Sequence, residues 1–140
     1  MHSNFHLARK EQTARLILGL RQPSVRVLAH PTGRRIGIRP SVDVDMEDVV
    51  AEAIISGVVL ECNGHRDRLD LPTDWVAHAA ARGAVLAANS DAQRIGELRN
   101  IENGVATLQR AGVTLRQVIN TFDLGDFTEW LGESSGRSMA

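Results

Sequence analysis

The sequence predicts an α/β fold in which short parallel strands alternate with helices. Three apolar runs have the length of buried strands, at Val25–Ala29, Val58–Cys62 and Ala84–Ala88. Between them lie stretches whose apolar residues recur at helical spacing, and glycine or proline marks most of the boundaries. Strands that alternate with helices in this way run parallel and are joined by right-handed crossovers. These patterns leave two architectures open, a doubly wound sheet or a segment of a β/α barrel.

The predicted helices have recognisable starts and ends. The first covers Glu11–Leu20 and is stopped by Pro23. Asp45 is in position to cap the second, which ends at Gly57 and has an apolar stripe of Met46, Val49, Val50, Ala53 and Ile54. Further helices are predicted at residues 72–82, 95–100, 105–110, 115–120 and 127–131.

The composition predicts one globular domain. The chain has 140 residues, of which 43% are hydrophobic and 24% charged, and this balance is typical of a folded protein. No apolar run approaches the roughly 20 residues that cross a bilayer, and the first residues do not resemble a secretory signal, so we expect a cytoplasmic protein without a membrane partner. The single cysteine, Cys62, excludes an intrachain disulfide and a multi-thiolate metal site. We expect it to be a small buried hydrophobic residue.

The charges are unevenly distributed along the chain. Residues 1–40 carry eight Arg or Lys against one acid, Glu11, whereas residues 41–140 carry eight basic residues against sixteen acids. This asymmetry predicts a phosphate-bearing partner near the first segment. The alternative is a solvated basic surface beside an acidic one.

Polar side chains follow each predicted strand. His30 follows the first strand, Glu61 and Asn63 end the second, and Asn89 to Asp91 follow the third. In both candidate architectures, ligands bind at the carboxyl ends of the strands. We therefore expect these side chains to meet in one site.

Several segments resemble a known family in their order and spacing. They are HSNF, EQTARLI, LAHPTGR, LECNGHRDRLDL, NSDAQ and NGVATLQRAGVT. Together they are similar to the C-terminal part of the PHP (polymerase and histidinol phosphatase) domain of bacterial family X DNA polymerases. The resemblance runs from His2 to about Leu131, so we expect residues 1–132 to belong to that domain and residues 133–140 to form a flexible tail.

The resemblance implies the C-terminal portion of a distorted seven-stranded β/α barrel. It also implies a cluster of divalent metals, manganese or zinc, which activates water for phosphoester hydrolysis, with 3'-to-5' exonuclease and end-processing phosphatase activity. The metal ligands that it carries over to this chain are His2, His30 and Asp91. Gln93 stands where the family has a further ligand histidine, and a neutral amide is a poor replacement for imidazole.

The other ligands of the family, an early His-x-His pair, two more histidines and a bridging glutamate, belong to a part of the domain that precedes this match. We therefore expect the isolated chain to bind manganese or zinc weakly and below stoichiometry, and we assign no catalytic residue. We also expect the chain start to be artificial or secondary. Two unpaired sheet edges would then favour a homodimer or a separately encoded N-terminal half.

Phosphate contacts are predicted in the loops above the strand ends. The candidates for binding a phosphoester, or the 3' end of a nucleic acid, are Arg34, Arg35, Asn63, His65 and Arg68, because guanidinium groups bind phosphate well. Solvated loop charges are the alternative. Glu61, at the end of a buried strand, is expected to pair with Arg68 or Arg34.

Three functions remain open on the sequence. The first is a partial PHP-type phosphoesterase that is inactive or weak by itself. The second is a non-catalytic, degenerate PHP module that binds nucleic acid or a partner protein through its arginine-rich loop. The third is a stand-alone doubly wound domain.

Overall fold

A parallel sheet of three strands lies at the centre of the fold. The computed structural model describes residues 5–135, and side chains as far as residue 132. The elements are helix α1 (Arg9–Leu20), strand β1 (Val27–Leu28), α2 (Met46–Ile55), β2 (Val59–Asn63), α3 (Thr73–Ala81), β3 (Leu86–Asn89), α4 (Ile101–Arg110) and α5 (Leu124–Ser135). Short 3₁₀ helices at Ile95–Asn100, Leu115–Gln117 and Ile119–Thr121 connect the last elements.

The strands lie in the order β1-β2-β3, and both neighbouring pairs are parallel. The predicted α/β class with parallel strands and helical crossovers is therefore confirmed. A sequential order occurs in barrels and in one half of a doubly wound sheet, so the barrel stays a prediction. The first strand is shorter than predicted, because the N–H of Val25 donates to the carbonyl of Gln22 at 3.0 Å and belongs to the turn after α1.

The hydrophobic core surrounds the central strand. All five residues of β2 are buried, as expected for a parallel strand covered on both faces. The buried face of α2 contributes Val49, Val50 and Ala53. Cys62 is 1% exposed, and burial raises the pKa of its thiol to about 12, so it is the buried hydrophobic residue that the sequence predicted.

The predicted helix signals lie where they were expected. The Asp45 side chain accepts the N–H of Asp48 at 3.4 Å and caps α2. Gly57 follows that helix with a φ of 53°, and Gly83 follows α3 with a φ of 87°. Both glycines have left-handed backbone, in which a side chain would be strained.

The outer edge of β3 is covered by the segment before α5. Val118 forms a parallel bridge with Leu86. The side-chain amide of Asn120 donates to the carbonyl of Ala88 at 3.0 Å and accepts its N–H at 2.9 Å, as a neighbouring strand would. The expectation of two unpaired edges is therefore wrong at β3. At β1, no strand within residues 5–135 pairs with the outer edge.

Membrane insertion has no support in the described helices. Within residues 5–135, every helix is too short or too polar to cross a bilayer.

Candidate functional site

The carboxyl ends of the three strands bring polar side chains together, as the sequence predicted. Glu61 lies at the centre of this cluster and is 5% exposed. Its Oε2 accepts the backbone N–H of His30 at 2.5 Å and the amide of Asn63 at 3.1 Å. Its Oε1 accepts the amide of Asn89 at 3.0 Å. One carboxylate thus connects the ends of all three strands.

The expectation that Arg68 or Arg34 pairs with Glu61 is wrong. The hydrogen-bond donors to this carboxylate are three neutral N–H groups, and both arginines are used elsewhere. Three donors can satisfy a buried carboxylate without a partner of opposite charge. Through these donors Glu61 joins the ends of the three strands.

His30 lies at the turn after β1 and is 4% exposed. Its φ of 34° is unusual for a residue other than glycine, and Gly33 donates its N–H to the His30 carbonyl at 2.9 Å to close the turn. Burial lowers the pKa of His30, and the nearby positive charge of Arg68 acts in the same direction. A neutral imidazole is the form that ligates metals, so its predicted role as a ligand is chemically compatible with this environment.

Asp91 follows β3 and forms an ion pair with Arg68. The distance from Arg68 Nε to Asp91 Oδ2 is 2.8 Å, and the two side chains are 15% and 26% exposed. Burial alone would raise the pKa of Asp91, but hydrogen bonds from Asn63 and Arg68 outweigh it and hold the pKa below its ordinary value. Asp91 does not cap the next helix, since Arg94 occupies the N-cap position of Ile95–Asn100.

The loop after β2 places Arg68 at this site. An antiparallel bridge between Asn63 and Asp70 closes the loop, and Arg68 donates its backbone N–H to the His65 carbonyl at 2.8 Å. The guanidinium of Arg34 donates from Nε to the Arg68 carbonyl at 2.6 Å and also to the Leu69 carbonyl. Arg34 therefore holds the backbone from which Arg68 projects.

Only some of the N–H donors of the Arg68 side chain have a described acceptor. Its Nη1 atom is buried and has no hydrogen-bond partner among the residues that the structure describes. Buried guanidinium groups normally have acceptors for their N–H donors. This atom is therefore a place where a ligand oxygen would be stabilised.

The guanidinium groups of the arginine-rich loop contact other groups of the same chain. Arg35 pairs with Asp67 at 3.0 Å, with side chains 41% and 44% exposed. Arg39 donates to the Gly33 carbonyl at 2.7 Å and lies 3.6 Å from the ring centre of Phe5. The assignment of Arg34 and Arg35 to phosphate binding stays a prediction, and both have protein partners in this structure.

His65 lies beside the cluster in a neighbouring cleft. Its backbone N–H donates to Asn63 Oδ1 at 2.9 Å, and its Nδ1 accepts the N–H of Asp67 at 3.2 Å. The cleft has a volume of about 520 Å³ and is also lined by Arg66 and Arg99. Substrate contact by Asn63 and His65 stays a prediction.

The described residues do not by themselves fit a divalent metal. His2 lies outside the described residues, and no group of three or more His, Cys, Asp or Glu within the described chain could hold an ion. His30 and Asp91 do lie at the same end of the sheet, but Oδ2 of Asp91 is already paired with Arg68. Gln93 is exposed, and its backbone N–H donates to Glu97 Oε2 at 2.8 Å. The ligand assignment of His2, His30 and Asp91 remains a prediction.

Asp70, at the end of the loop after β2, is a buried acid that no sequence pattern singled out. It is 0% exposed, and its carboxylate accepts the N–H of Thr32 at 3.1 Å. Burial raises the pKa of Asp70. It connects the loop after β2 to the turn that carries His30. The leucines on both sides of Asp70 were the available signal for its burial.

One curated relative is similar to nearly the whole chain. The chain is 31% identical over 131 residues, or 94% of its length, to the DNA polymerase/3'-5' exonuclease PolX of Bacillus subtilis (strain 168). It spans 23% of the length of that relative. No protein-family model matches the chain. The similarity fits the predicted resemblance to family X DNA polymerases and extends over β1, β2 and β3.

Proposed function

We propose that this chain is a partial PHP-type phosphoesterase that binds a phosphoester at the carboxyl ends of its strands and is inactive or weakly active by itself. Two findings support the proposal. The relative is a DNA polymerase and 3'-5' exonuclease by name, and the predicted polar residues meet at one end of the sheet. The natural ligand class is the 3' end of a nucleic acid.

The observation that carries this proposal is the unsatisfied Nη1 of Arg68. A buried N–H without an acceptor destabilises a protein by about 1–3 kcal/mol. A phosphate oxygen would remove that penalty, and because Nη1 itself is buried while the side chain as a whole is 15% exposed, the ligand would reach Nη1 through a movement of the Arg68 side chain. Arg68 would then lie between Asp91 and the phosphate.

The charges near Arg68 predict weak binding. Arg34 and Arg68 are balanced by Glu61 and Asp91, so the site offers hydrogen bonds without a strong attraction for anions. A singly charged phosphodiester suits such a site better than a doubly charged phosphomonoester. We expect a Kd on the order of 1 mM for a short single-stranded oligonucleotide.

A non-catalytic binding module is the second candidate function. It is favoured by Gln93, which is exposed and stands where the family has a ligand histidine, and by the ion pair on Asp91. Hydrolysis distinguishes the two candidates. Release of nucleotide from a 3'-labelled oligonucleotide in excess manganese, lost in His30→Ala, supports the phosphoesterase. Binding without hydrolysis supports the module.

The binding experiment compares the arginine of the site with an arginine outside it. Titration of a short oligonucleotide, followed by NMR chemical shifts, should show Arg68→Gln binding about tenfold more weakly than the wild-type chain, the equivalent of one charge-assisted hydrogen bond. Arg110→Gln removes the same charge from an exposed position at the end of α4, outside the site, and should change Kd by less than about twofold. Equal losses in both variants would refute a specific role for Arg68.

A further inference from the structure

We infer that the cleft beside the strand-end cluster is a nucleoside subsite, which takes the base and sugar of a nucleotide whose phosphate lies at Arg68. The cleft has a volume of about 520 Å³ and lies between the loop after β2, the 3₁₀ helix Ile95–Asn100 and the start of α4. Openings of this size hold small organic ligands. The inference rests on the proposed function for the position of the phosphate, and it adds a second part of the nucleic acid that the chain recognises.

The walls of the cleft are fixed by close backbone contacts. A Cβ atom on Gly64 would overlap the carbonyl oxygen of Asn100, and one on Gly104 would lie 2.7 Å from the carbonyl oxygen of Cys62. The side-chain amide of Asn103 also donates to the Gly64 carbonyl at 2.9 Å. The loop after β2 is therefore held directly against α4. A ligand would enter a cleft that already has its shape, without the cost of ordering a loop.

The imidazole of His65 gives the cleft a flat, well-held surface. Its Nδ1 accepts the N–H of Asp67 at 3.2 Å, and this bond restricts rotation of the ring. The same bond leaves the ring proton on Nε2, and this donor has no acceptor among the residues that the structure describes. The face of an imidazole stacks on nucleobases, and its N–H can donate to a base or sugar oxygen.

The other polar groups of the cleft favour a nucleoside over a bare phosphate. Two guanidinium groups and two carboxylates line it, from Arg66, Arg99, Glu97 and Glu102. The carboxylate of Asp67 is neutralised by Arg35, at 3.0 Å. Because these charges balance, the cleft has little attraction for an anion. A base edge and sugar hydroxyls require both donors and acceptors, and this cleft offers both.

One turn of the loop connects the cleft to Arg68. The backbone N–H groups of Arg68 and Leu69 both donate to the carbonyl of His65, at 2.8 and 2.9 Å. In such a turn the Cα atoms of the first and fourth residues lie within about 7 Å of each other. A single nucleotide spans this separation, so its base can contact His65 while its phosphate contacts Arg68.

The test is a titration of two trinucleotides into the full chain, followed by NMR chemical shifts. One trinucleotide contains deoxyadenosine, and in the other each base is replaced by hydrogen, so both carry the same phosphodiesters. The wild-type chain should bind the deoxyadenosine trinucleotide about tenfold more tightly than the abasic one, within the range that stacking of a base produces. Equal affinity for the two overturns the inference.

Two histidine variants locate the base. His65→Ala should lose the tenfold difference and should bind the abasic trinucleotide within about twofold of the wild-type chain, which also shows that the variant is folded. His78→Ala makes the same change on α3, outside the cleft, and should keep the difference. A difference that persists in His65→Ala, or that both variants lose equally, overturns the inference.

Adenosine, which has no phosphate, separates this inference from the proposed function. Titrated into the wild-type chain, it should shift the NMR signals of His65 and Asn103 with a Kd on the order of 10 mM. Absence of these shifts overturns the inference even where the trinucleotides shift the signals of Arg68. Adenosine shifts at His65, together with equal trinucleotide affinity in Arg68→Gln and wild type, would instead refute the phosphate site and leave the nucleoside subsite in place.

Discussion

The arginine-rich loop and the strand-end cluster both contain arginine, but its guanidinium group has opposite roles in the two regions. In the loop, Arg34 and Arg39 donate to backbone carbonyls, and Arg35 pairs with Asp67 at a partly exposed position. In the cluster, Arg68 pairs with Asp91 in a more buried position and keeps one buried N–H without a described partner. The guanidinium groups of the arginine-rich loop thus have better hydrogen-bond partners than the one guanidinium group of the cluster.

The difference shows that the number of basic residues is a poor guide to an anion site. A guanidinium whose donors are engaged by carbonyls stabilises a loop, and binding a phosphate would require breaking those bonds. A guanidinium with an unused buried donor gains a hydrogen bond when a phosphate arrives. Stabilisation of the loop explains part of the positive charge of residues 1–40. The candidate site depends instead on the unused buried donor of Arg68.

The largest expected effect on the free energy of unfolding comes from Glu61, the carboxylate at the centre of the cluster. Glu61→Gln replaces an acceptor of three N–H groups by an amide whose own NH₂ must face one of them. We expect the free energy of unfolding to fall by about 3 kcal/mol, since a buried donor loses its acceptor and a charged hydrogen bond is lost. Urea denaturation followed by circular dichroism measures this change.

The control for Glu61→Gln is Glu97→Gln. Glu97 accepts one N–H, from Gln93, at the surface side of the molecule, and an amide oxygen can still accept it. We expect a change below about 0.5 kcal/mol. Similar losses in Glu61→Gln and Glu97→Gln would contradict the role assigned to Glu61.

The next effect separates two neighbouring arginines of the loop. Arg34→Gln should lower the free energy of unfolding by about 2 kcal/mol, because the carbonyls of Arg68 and Leu69 lose charged donors. Arg35→Gln should lower it by less than about 0.5 kcal/mol, because the pair with Asp67 is exposed and screened. Thermal unfolding of both variants checks the order, and a larger loss in Arg35→Gln would reverse the comparison.

The sequence predicted the frame of the fold better than the contacts of the site. Helical spacing, the Asp45 cap and the glycines at positions 57 and 83 place α2 and α3 correctly, because these signals act between near neighbours. The convergence of His30, Glu61 and Asp91 also followed from general rules for parallel strands. Such predictions require only the order of the elements.

Side-chain contacts between residues far apart in the chain could not be predicted from the sequence. Arg68 is 23 residues from Asp91, and Arg34 is 34 residues from the Arg68 carbonyl, so no local pattern records either contact. The same holds for Asn120, which covers the edge of β3 from 32 residues away. The pairing of Glu61 with neutral donors was missed because its position on a buried strand indicates only that it needs partners.

The smallest expected effect is the pH dependence of the Arg68–Asp91 pair. The pKa of Asp91 is lower in the folded chain than the ordinary value of about 3.9 that it has on unfolding. The hydrogen bonds from Asn63 and Arg68 to the Asp91 carboxylate therefore stabilise the fold above about pH 4, and this contribution is lost as the pH falls through the folded pKa. The raised pKa of the buried Asp70 has the opposite sign, so the total acid dependence of the wild-type chain cannot isolate the pair.

The difference between the wild-type chain and a variant at Asp91 isolates the contribution of this carboxylate. The free energy of unfolding of the wild-type chain minus that of Asp91→Asn should shrink by up to about 1 kcal/mol between pH 5 and the acid limit of folding. Asp67→Asn, which removes the partner of Arg35 from a more exposed ion pair, is the control variant. Urea denaturation at closely spaced pH values measures both differences. A flat difference for Asp91→Asn would mean that Arg68 does not hold this carboxylate in solution, and the contrast between the cluster and the loop would then disappear.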